Sequence, residues 1–523
     1  MTARPEWRHA DLIFVAGLAA ICGLTIAVGM APLRVFEHDT FFALDGAFRV
    51  LRGQVPHRDF SSAWGPVLFL MDAAGLALSG LRPAGIGYAN ALWGALIAVW
   101  AYWIARSRFT PGRACITGIY TLLLIVGPYA LGYSPLSFSH AMAYNRYGFA
   151  LLGIILLECS DGRDRAGAFS SGAAWALLVF LKISYAVMAV PFLLIAWMYS
   201  DSRKQRLIWL SAGAGLVTLL LLSYLRFSVG AMWQDWISAA SGRSRTWNWS
   251  GTLNAASGAE GIPLVLMAGI VCANSPRAIR VRLAVMALAT LGVSLILLST
   301  NHQAESLPLT GFAALLLANE GIARGRQAVQ LPADLLRKLW VVMLTVICVA
   351  PLALENTAAL VAAGIEERRL AATATDQLQS ERGASMDFEP VESSMTSETG
   401  GPAYVDALND GLDLLRRRTR PDTGALAMDM FDPFNYLLDR RPPRGGIEAA
   451  AYNYVFSDEA HPPAGQFFGD ARYILVRKYS AAAQDYEIEE YHLRGLDRVY
   501  GPDLRKRFRL VEETPHWSLW ERQ

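Results

Sequence analysis

The sequence predicts a polytopic α-helical membrane protein with a small α/β domain after its last transmembrane helix. Of its 523 residues, 53% are hydrophobic and only 18% are charged, which is too apolar for an ordinary soluble enzyme. The long apolar blocks end near residue 356, and the remainder is rich in charge, proline and glycine. We therefore expect a transmembrane module at 1–356, a linker at 357–401 and an extracytoplasmic α/β domain at 402–523.

Composition also excludes several classes of function. The net charge is +2, and the arginines are scattered over short loops, so no basic face predicts nucleic-acid binding. The five cysteines lie in or beside apolar segments without a Cys-x-x-Cys pair, which argues against a disulfide framework. We find no nucleotide-binding glycine loop, Ser-His-Asp arrangement or zinc-ligand spacing.

Apolar runs of helical length predict about eleven transmembrane helices. The first run follows Arg4 and Arg8 and resembles a signal peptide, but its length of about 20 residues is enough to span, so we expect an uncleaved first helix. The predicted spans are 11–31, 86–105, 113–131, 141–159, 168–181, 184–199, 207–227, 260–273, 283–299, 306–320 and 339–356.

One apolar block, at 64–80, is left out of this count. It is short, begins with Gly65-Pro66 and carries Asp72, which favours an interfacial or re-entrant helix. With this block left out, the arginine-rich loops all fall on the N-terminal side, and the loops at 132–140 and 300–306 contain no lysine or arginine. The positive-inside rule then predicts that the N-terminus lies in the cytoplasm and the tail outside. We expect the membrane to be the bacterial inner membrane of the cell envelope.

The apolar run at 168–199 is interrupted by Lys182. Because arginine-rich loops flank both ends of the run, we expect two short helices that cross in opposite directions, with Lys182 at the outer turn. The alternative is one long tilted helix with a snorkelling lysine. Only the first arrangement turns Lys182 toward an extracytoplasmic cavity.

The first outer loop is the candidate site, because it holds acids, histidines and arginines between two apolar segments. Residues 39–52 have helical spacing, which predicts a helix along the outer membrane surface. Asp39 begins this helix and is either an N-cap or a catalytic acid. The apolar stripe consists of Phe41, Leu44, Phe48 and Leu51. The adjacent charged strip consists of Asp45, Arg49 and Arg52.

The order of an acid at 39, a surface helix, Arg58-Asp59-Phe60 and Gly65-Pro66 resembles the first outer loop of the C superfamily of membrane glycosyltransferases (GT-C fold). It is most similar to the protein mannosyltransferase and aminoarabinose transferase group, which uses polyprenyl-phosphate sugars. Lys182, the segment 144–148 and a soluble outer tail extend the resemblance. It implies an inverting transfer of a hexosyl or pentosyl group from a polyprenyl phosphate to an extracytoplasmic glycan, lipid or protein.

This resemblance assigns the catalytic base to Asp39. Many members of the group carry two adjacent acids, whereas Asp39 follows Glu37 and His38 and precedes Thr40, so which acid acts stays open. Glu37 and Asp39 would supply the ligands if Mg²⁺ or Mn²⁺ is bound, and His38 suits Mn²⁺. Two acids are few for such a site, so no cofactor is certain.

Arg58, Lys182 and Arg146 are the candidates for holding the departing phosphate, because they lie on the predicted outer side and can donate to phosphate oxygens. Each has an alternative role as a snorkelling or headgroup-contacting residue. We expect Asp59 to pair with Arg58 or with a helix end. His302 and Glu305, in the last outer loop, either reach the same cavity or are merely solvated.

The outer loop at 228–259 is rich in tryptophan, which is typical of an interfacial belt and is also compatible with a groove for sugar or lipid. The expected partners are a polyprenyl-phosphate sugar, membrane lipids and an extracytoplasmic acceptor. The competing function is that of a non-catalytic binder of lipid-linked sugar, or of a transporter or flippase. A transporter favours charges in the middle of spans, whereas here the charges gather at their outer ends.

Overall fold

The computed structural model describes residues 5–159, 164–242, 249–258, 260–300, 306–323, 332–370, 378–388, 402–479 and 488–523. Up to residue 370 most of the described residues are helical, and each predicted span coincides with a helix. The helices are α1 (Pro5–Val28), α2 (Asp39–Leu51), α3 (Pro66–Leu78), α4 (Gly85–Arg106), α5 (Pro111–Val126), α6 (Ala143–Glu158), α7 (Asp164–Leu181), α8 (Ile183–Met198), α9 (Arg203–Tyr224), α10 (Val229–Ala240), α11 (Trp249–Ser257), α12 (Gly261–Ala273), α13 (Arg277–Thr300), α14 (Leu309–Ala323) and α15 (Pro332–Leu370).

The predicted class, a polytopic α-helical membrane fold followed by a smaller domain with strands, is confirmed. Within the described residues, five helices are long and apolar enough to cross a membrane, or six if the bent pair α11 and α12 forms one span. The other apolar helices are shorter, so the count of about eleven stays a prediction.

The break at Lys182 separates two helices, as the sequence predicts. Lys182 is extended (φ −160°, ψ 116°) between the end of α7 and the start of α8. Gly65, in the first loop, donates its N–H to the carbonyl of Leu181 (3.1 Å) at this break. Further along α8, the carbonyl of Phe192 accepts from the thiol of Cys159 (3.1 Å), just after α6 ends. The chain therefore turns back at Lys182, which excludes the single long helix.

The helix α2 matches the predicted surface helix in its bounds but differs in its surroundings. Asp45 and Arg49, predicted for an open charged strip, are 1% and 2% exposed. After the helix ends, Gly53 has a positive φ of 84°, a conformation that glycine adopts without strain. The N–H of Gly53 donates to the carbonyl of Val50, and the N–H of Gln54 donates to the carbonyl of Arg49. Most of the helix is buried beneath the C-terminal domain and its neighbouring helices, and its location at the membrane surface stays a prediction.

The predicted linker is partly helical. The helix α15 continues to Leu370, beyond the expected end at residue 356, and Phe388 pairs with Leu33 in an isolated bridge. The remaining positions of the predicted linker, 371–377 and 389–401, lie outside the described residues. Contacts such as the Phe388 bridge tie this segment to the start of the first loop.

The C-terminal domain contains both helices and strands, as predicted, and its strands form a four-stranded sheet. In this sheet β2 (Ala425–Met428) pairs in parallel with β4 (Tyr473–Arg477). On the other side of β4, β6 (Trp517–Arg522) is antiparallel to β4 and to the edge strand β5 (Phe508–Glu513). The predicted helix at 404–418 and the three predicted strands are present, whereas the sequence did not predict the other elements of the domain, among them a helix at 488–507 and a strand at 508–513. The elements are α16 (Pro402–Arg418), β2 (Ala425–Met428), α17 (Phe434–Leu437), β3 (Ile447–Glu448), α18 (Ala464–Phe468), β4 (Tyr473–Arg477), α19 (Ile488–Arg507), β5 (Phe508–Glu513) and β6 (Trp517–Arg522).

Several contacts attach this domain to the first loop, and two of them are buried at the centre of the interface. The short strand β1 (Ser61–Ser62) pairs in parallel with β3. Beside this pair, Arg49 lies among three buried carboxyl groups, with its Nε 2.5 Å from Asp45 and 3.7 Å from Glu448 and its Nη2 3.8 Å from Asp432. Burial raises the pKa of Asp432 to about 7 and that of Glu448 well above its usual value. The single guanidinium offsets one negative charge of this buried cluster, and the raised pKa values favour protonation of the carboxyl groups that it does not offset.

We predict that Arg49→Met destabilises the protein by about 3–5 kcal/mol, since it leaves the buried carboxyl groups without their cation. Because burial raises the pKa of these groups in the folded state, the loss should be larger at pH 8 than at pH 5, where protonation removes their charge. Thermal unfolding of the detergent-solubilised protein at both pH values measures it. Arg52→Met is the control, because the exposed Arg52–Asp439 pair should contribute at most about 1 kcal/mol. Equal losses in the two variants would contradict this role of Arg49.

Candidate active site

A cavity of about 360 Å³ lies where the first loop, the α7–α8 break, α10 and the C-terminal domain meet. Asp39 and Lys182, two of the predicted site residues, both line it. Much of the remaining wall is aromatic or apolar. The aromatic residues of the lining are Phe42, Trp64, Tyr144, Trp236, Phe431, Tyr454 and His492.

Asp39 is the first residue of α2 and not its cap. The N-cap position is His38, which makes no side-chain capping hydrogen bond with any described residue. The Asp39 side chain is 24% exposed, and burial raises its pKa to about 7. The carboxyl group therefore changes its protonation state near neutral pH, which is the range in which a general base is most effective.

His38 borders the Asp39 carboxyl group, with its Nε2 3.4 Å from Oδ1. Burial, together with the charge of nearby His492, lowers the pKa of His38 to about 4. The imidazole is therefore neutral at pH 7. It can orient the carboxyl group without adding a positive charge that would weaken it as a base.

Gly65 determines the position of Lys182. A Cβ atom at residue 65 would lie 1.9 Å from the carbonyl oxygen of Phe180, so only glycine allows the first loop to approach the end of α7 this closely. The Nζ atom of Lys182 lies 4.4 Å from the centroid of the Tyr144 ring. This cation–π contact holds the ammonium group at the cavity wall.

The aromatic wall is continuous. The Phe42 ring lies 4.6 Å from that of Trp64, and Trp64 lies 5.4 Å from Tyr144. From the opposite domain, Phe431 comes within 6.5 Å of Phe42. Flat aromatic faces beside a few polar groups are typical of small-molecule sites, and they can pack against a sugar ring or an isoprenoid unit.

Four predicted site residues of the first loop, Glu37, His38, Arg58 and Asp59, lie outside this lining. Arg58 donates to Asp59 (2.6 Å), and Asp59 in turn accepts the N–H of Val55 (2.8 Å), so this pair closes a turn of the loop. The expected structural role of Asp59 thus agrees with its contacts. Glu37 is 2% exposed, and burial raises its pKa.

Arg146 is not available to a phosphate, which corrects its assignment. It is 3% exposed and donates to the carbonyl groups of Tyr129 and Leu124 and to the side chain of Asn356 (2.5–3.2 Å). These bonds link the end of α5 to α6 and α15. His302 lies outside the described residues.

Among the described residues, the cavity lining contains one carboxyl group, that of Asp39. Across the described ranges, no group of three His, Cys, Asp or Glu residues is arranged to hold a metal ion. Asp39 lines the cavity, whereas Glu37, the other acid considered for a metal, is not part of the lining. We therefore derive no reaction step through a metal.

Sequence reasoning missed two features of the site. One is the wall from the C-terminal domain, formed by Phe431, Tyr454 and His492. The other is a buried pair in which His57 Nδ1 lies 2.7 Å from Asp235, which also accepts the N–H of Ser62 (3.0 Å). This pair holds α10, and thus Trp236, against the first loop. The sequence indicated this pair only through Asp235, an acidic residue between two tryptophans in a mostly apolar helix.

We predict that Gly65→Ala lowers the free energy of unfolding by about 1–3 kcal/mol, because the added methyl group displaces the segment that carries Lys182. The melting temperature of the detergent-solubilised protein measures the effect. Gly112→Ala is the matched control, since a Cβ atom there meets open space. A melting temperature of Gly65→Ala equal to that of the control would contradict the close approach at this glycine.

No protein-family model matches the chain, and no curated protein matches it. Among solved structures the chain is similar to two structures of ArnT from Cupriavidus metallidurans. One is bound to undecaprenyl phosphate, and the other is in the apo state. Identity is 12% in each comparison, with coverage of 98% of this chain and 97% of the other. The TM-scores are 0.44 for the lipid-bound structure and 0.49 for the apo structure.

Proposed function

We propose that this protein is a membrane glycosyltransferase that moves a sugar from a polyprenyl phosphate to a hydroxyl group of an extracytoplasmic acceptor. The observation that carries the proposal is one cavity lined by both Asp39, whose pKa burial raises to about 7, and Lys182. A base and a cation in one partly apolar cavity are the groups that displacement of a sugar from a lipid phosphate requires.

In the proposed reaction, Asp39 accepts the proton of the acceptor hydroxyl group. At the same time the oxygen of this hydroxyl group attacks the anomeric carbon of the donor sugar. The bond between this carbon and the phosphate oxygen breaks, and its electron pair stays on the phosphate. Lys182 stabilises the negative charge that develops there. Attack from the face opposite the phosphate inverts the anomeric configuration.

The surface of α8 supports a lipid carrier. This helix begins at the cavity with Ile183, and its exposed side chains continue from there at helical spacing with Val187, Val190 and Leu194, which are 53%, 41% and 51% exposed. An isoprenoid chain can pack along this apolar stripe while its phosphate lies beside Lys182. The donor would then reach the cavity from within the membrane.

The proposal is tested with purified protein, a panel of undecaprenyl-phosphate hexoses and pentoses, and detection of released undecaprenyl phosphate. We expect Asp39→Asn to lower kcat by about 10²–10⁴-fold, because the amide cannot accept the proton. The wild-type rate should rise with pH as Asp39 loses its proton near pH 7 and should fall about tenfold per unit below it. The residual rate of Asp39→Asn should not fall in this way below pH 7.

Glu37→Gln is the control for the neighbouring acid. Because Glu37 lies outside the cavity lining, this variant should keep the wild-type pH profile. Turnover that survives in Asp39→Asn but disappears in Glu37→Gln would reassign the base. Turnover absent from wild type with every donor would instead favour a non-catalytic binder or a transporter.

We also predict that Lys182→Met weakens binding of undecaprenyl phosphate by about 10–100-fold, because a charge-assisted contact to the phosphate is lost. Equilibrium binding measured by tryptophan fluorescence checks this, since Trp64 and Trp236 line the cavity. Arg58→Met is the comparison: Arg58 pairs with Asp59, so we expect lower stability with affinity preserved. If Arg58→Met weakened binding and Lys182→Met did not, Arg58 and not Lys182 would contact the phosphate.

A further inference from the structure

A second cavity, of about 760 Å³, lies at the other end of α2 from the candidate active site. Arg52 directly follows α2 and pairs with Asp439, which lines this cavity. Asp39 begins the same helix and lines the first cavity. With a helical rise of about 1.5 Å per residue, these two positions are about 20 Å apart. The second cavity is therefore a separate site.

The walls of the second cavity come from three parts of the chain that are joined by hydrogen bonds. They are the turn between α3 and α4, the segment at 378–388, and the C-terminal domain. The hydroxyl group of Tyr436 donates to the carbonyl of Leu81 (3.1 Å), and Arg382 donates to the carbonyl of Tyr436 (2.8 Å). A ligand in this cavity would therefore contact the first loop and the C-terminal domain together.

Arginine predominates among the charged residues of the lining. Arg82, Arg382 and Arg416 face two acidic residues, Glu381 and Asp439. The carboxyl group of Asp439 is shared, because Arg382 (2.7 Å) and the arginine that follows α2 both pair with it. Four guanidinium groups of the described residues thus surround two carboxyl groups.

The excess positive charge is visible at two of these residues. The charge of Arg416 adds to the effect of burial in lowering the pKa of Arg440, which is 4% exposed. The side chain of Arg82 is exposed and makes neither a hydrogen bond nor an ion pair with any described residue. An anion in the cavity would be attracted by this unbalanced charge.

Arg382 is held in a fixed position before any ligand binds. Its side chain is 14% exposed, and its guanidinium carbon lies 5.0 Å from the ring centroid of Phe48 and 5.2 Å from that of Tyr436. On the same wall, Leu81 and Asp439 have φ values of +65° and +52°, which are uncommon outside glycine and often mark functional positions. The planar fork of a fixed arginine matches the spacing of phosphate oxygens.

The predicted topology places this cavity at the outer membrane surface. Arg82 and Pro83 line it and directly precede α4, which is long and apolar enough to span. At the end of α3, two residues before the lining begins, Leu78 is 62% exposed. A phospholipid of the outer leaflet carries its phosphate at this level, while its chains can pack against exposed apolar side chains.

We propose that this cavity binds the phosphate group of an anionic phospholipid, which stabilises docking of the C-terminal domain on the first loop. The inference does not rest on the proposed function, because the site lies about 20 Å from Asp39 along α2. A free phosphate ion presents the same oxygens, and the arms of the experiment distinguish it from a lipid.

The experiment follows the melting temperature of the full-length, detergent-solubilised protein while phosphatidylglycerol, phosphatidylcholine or inorganic phosphate is added. A ligand that binds only the folded protein raises the melting temperature in a concentration-dependent way. Arg82→Gln removes the exposed arginine of the lining. Arg226→Gln is the matched control, because Arg226 is also exposed at a predicted outer helix end but lies outside the lining.

We expect phosphatidylglycerol to raise the melting temperature of wild type. The lipid concentration that gives half of this rise should be about tenfold higher for Arg82→Gln, because a charge-assisted contact is lost, and unchanged for Arg226→Gln. Phosphatidylcholine, which has no net charge, should raise the melting temperature less at the same mole fraction. Lys182→Met should respond to phosphatidylglycerol like wild type, since Lys182 lines the other cavity.

An equal response of Arg82→Gln and Arg226→Gln would overturn the inference, and so would an equal effect of phosphatidylcholine. Loss of the response in Lys182→Met instead of Arg82→Gln would place the lipid in the other cavity, which also contradicts it. An Arg82-dependent rise with inorganic phosphate at the concentration at which the lipid acts would assign the anion site to free phosphate. No rise for wild type with any of the three ligands would exclude the site.

Discussion

The contact on which the rest of the site depends is the buried cluster around Arg49. Arg49 and Asp39 belong to the same helix, about 15 Å apart along its axis. Because Arg49 is bound to Glu448 and Asp432 of the C-terminal domain, the domain is held at a fixed distance from the acid at the helix start. The cavity therefore forms between two parts of the chain that are far apart in sequence, and its far wall depends on this docking.

Much of the helical part could be predicted, because a membrane limits the choices. Hydropathy located a helix for each predicted span, and the distribution of arginines required the turn at Lys182 that the structure contains. The same distribution of arginines indicated that α3 does not span the membrane. The failure at Arg146 has a physical reason: an arginine near a helix start has the same sequence signal whether it faces a headgroup or, as here, donates to the carbonyl groups of neighbouring helices.

The remaining features could not be predicted because they are tertiary contacts between distant residues. Asp45 and Arg49 resemble an open charged strip until the C-terminal domain covers them. His492 lies near the start of a charged helix, where nothing in the local pattern indicates a cavity. His57 and Asp235 belong to different loops, and only the pairing of α10 with the first loop joins them. In each case a polar residue is buried with partners that local periodicity does not specify.

The absence of an acid beside Asp39 has a chemical consequence. Where two carboxyl groups are adjacent, each charge raises the pKa of the other, so that they titrate as a pair. Here the neighbour is His38, which is neutral at pH 7, and burial rather than a like charge raises the pKa of Asp39 to about 7. A single desolvated carboxyl group of this kind is a stronger proton acceptor than an exposed aspartate, and it needs no partner to become one. The wall that the C-terminal domain places over the first loop contributes to this desolvation, so docking of the domain and the basicity of Asp39 are physically linked.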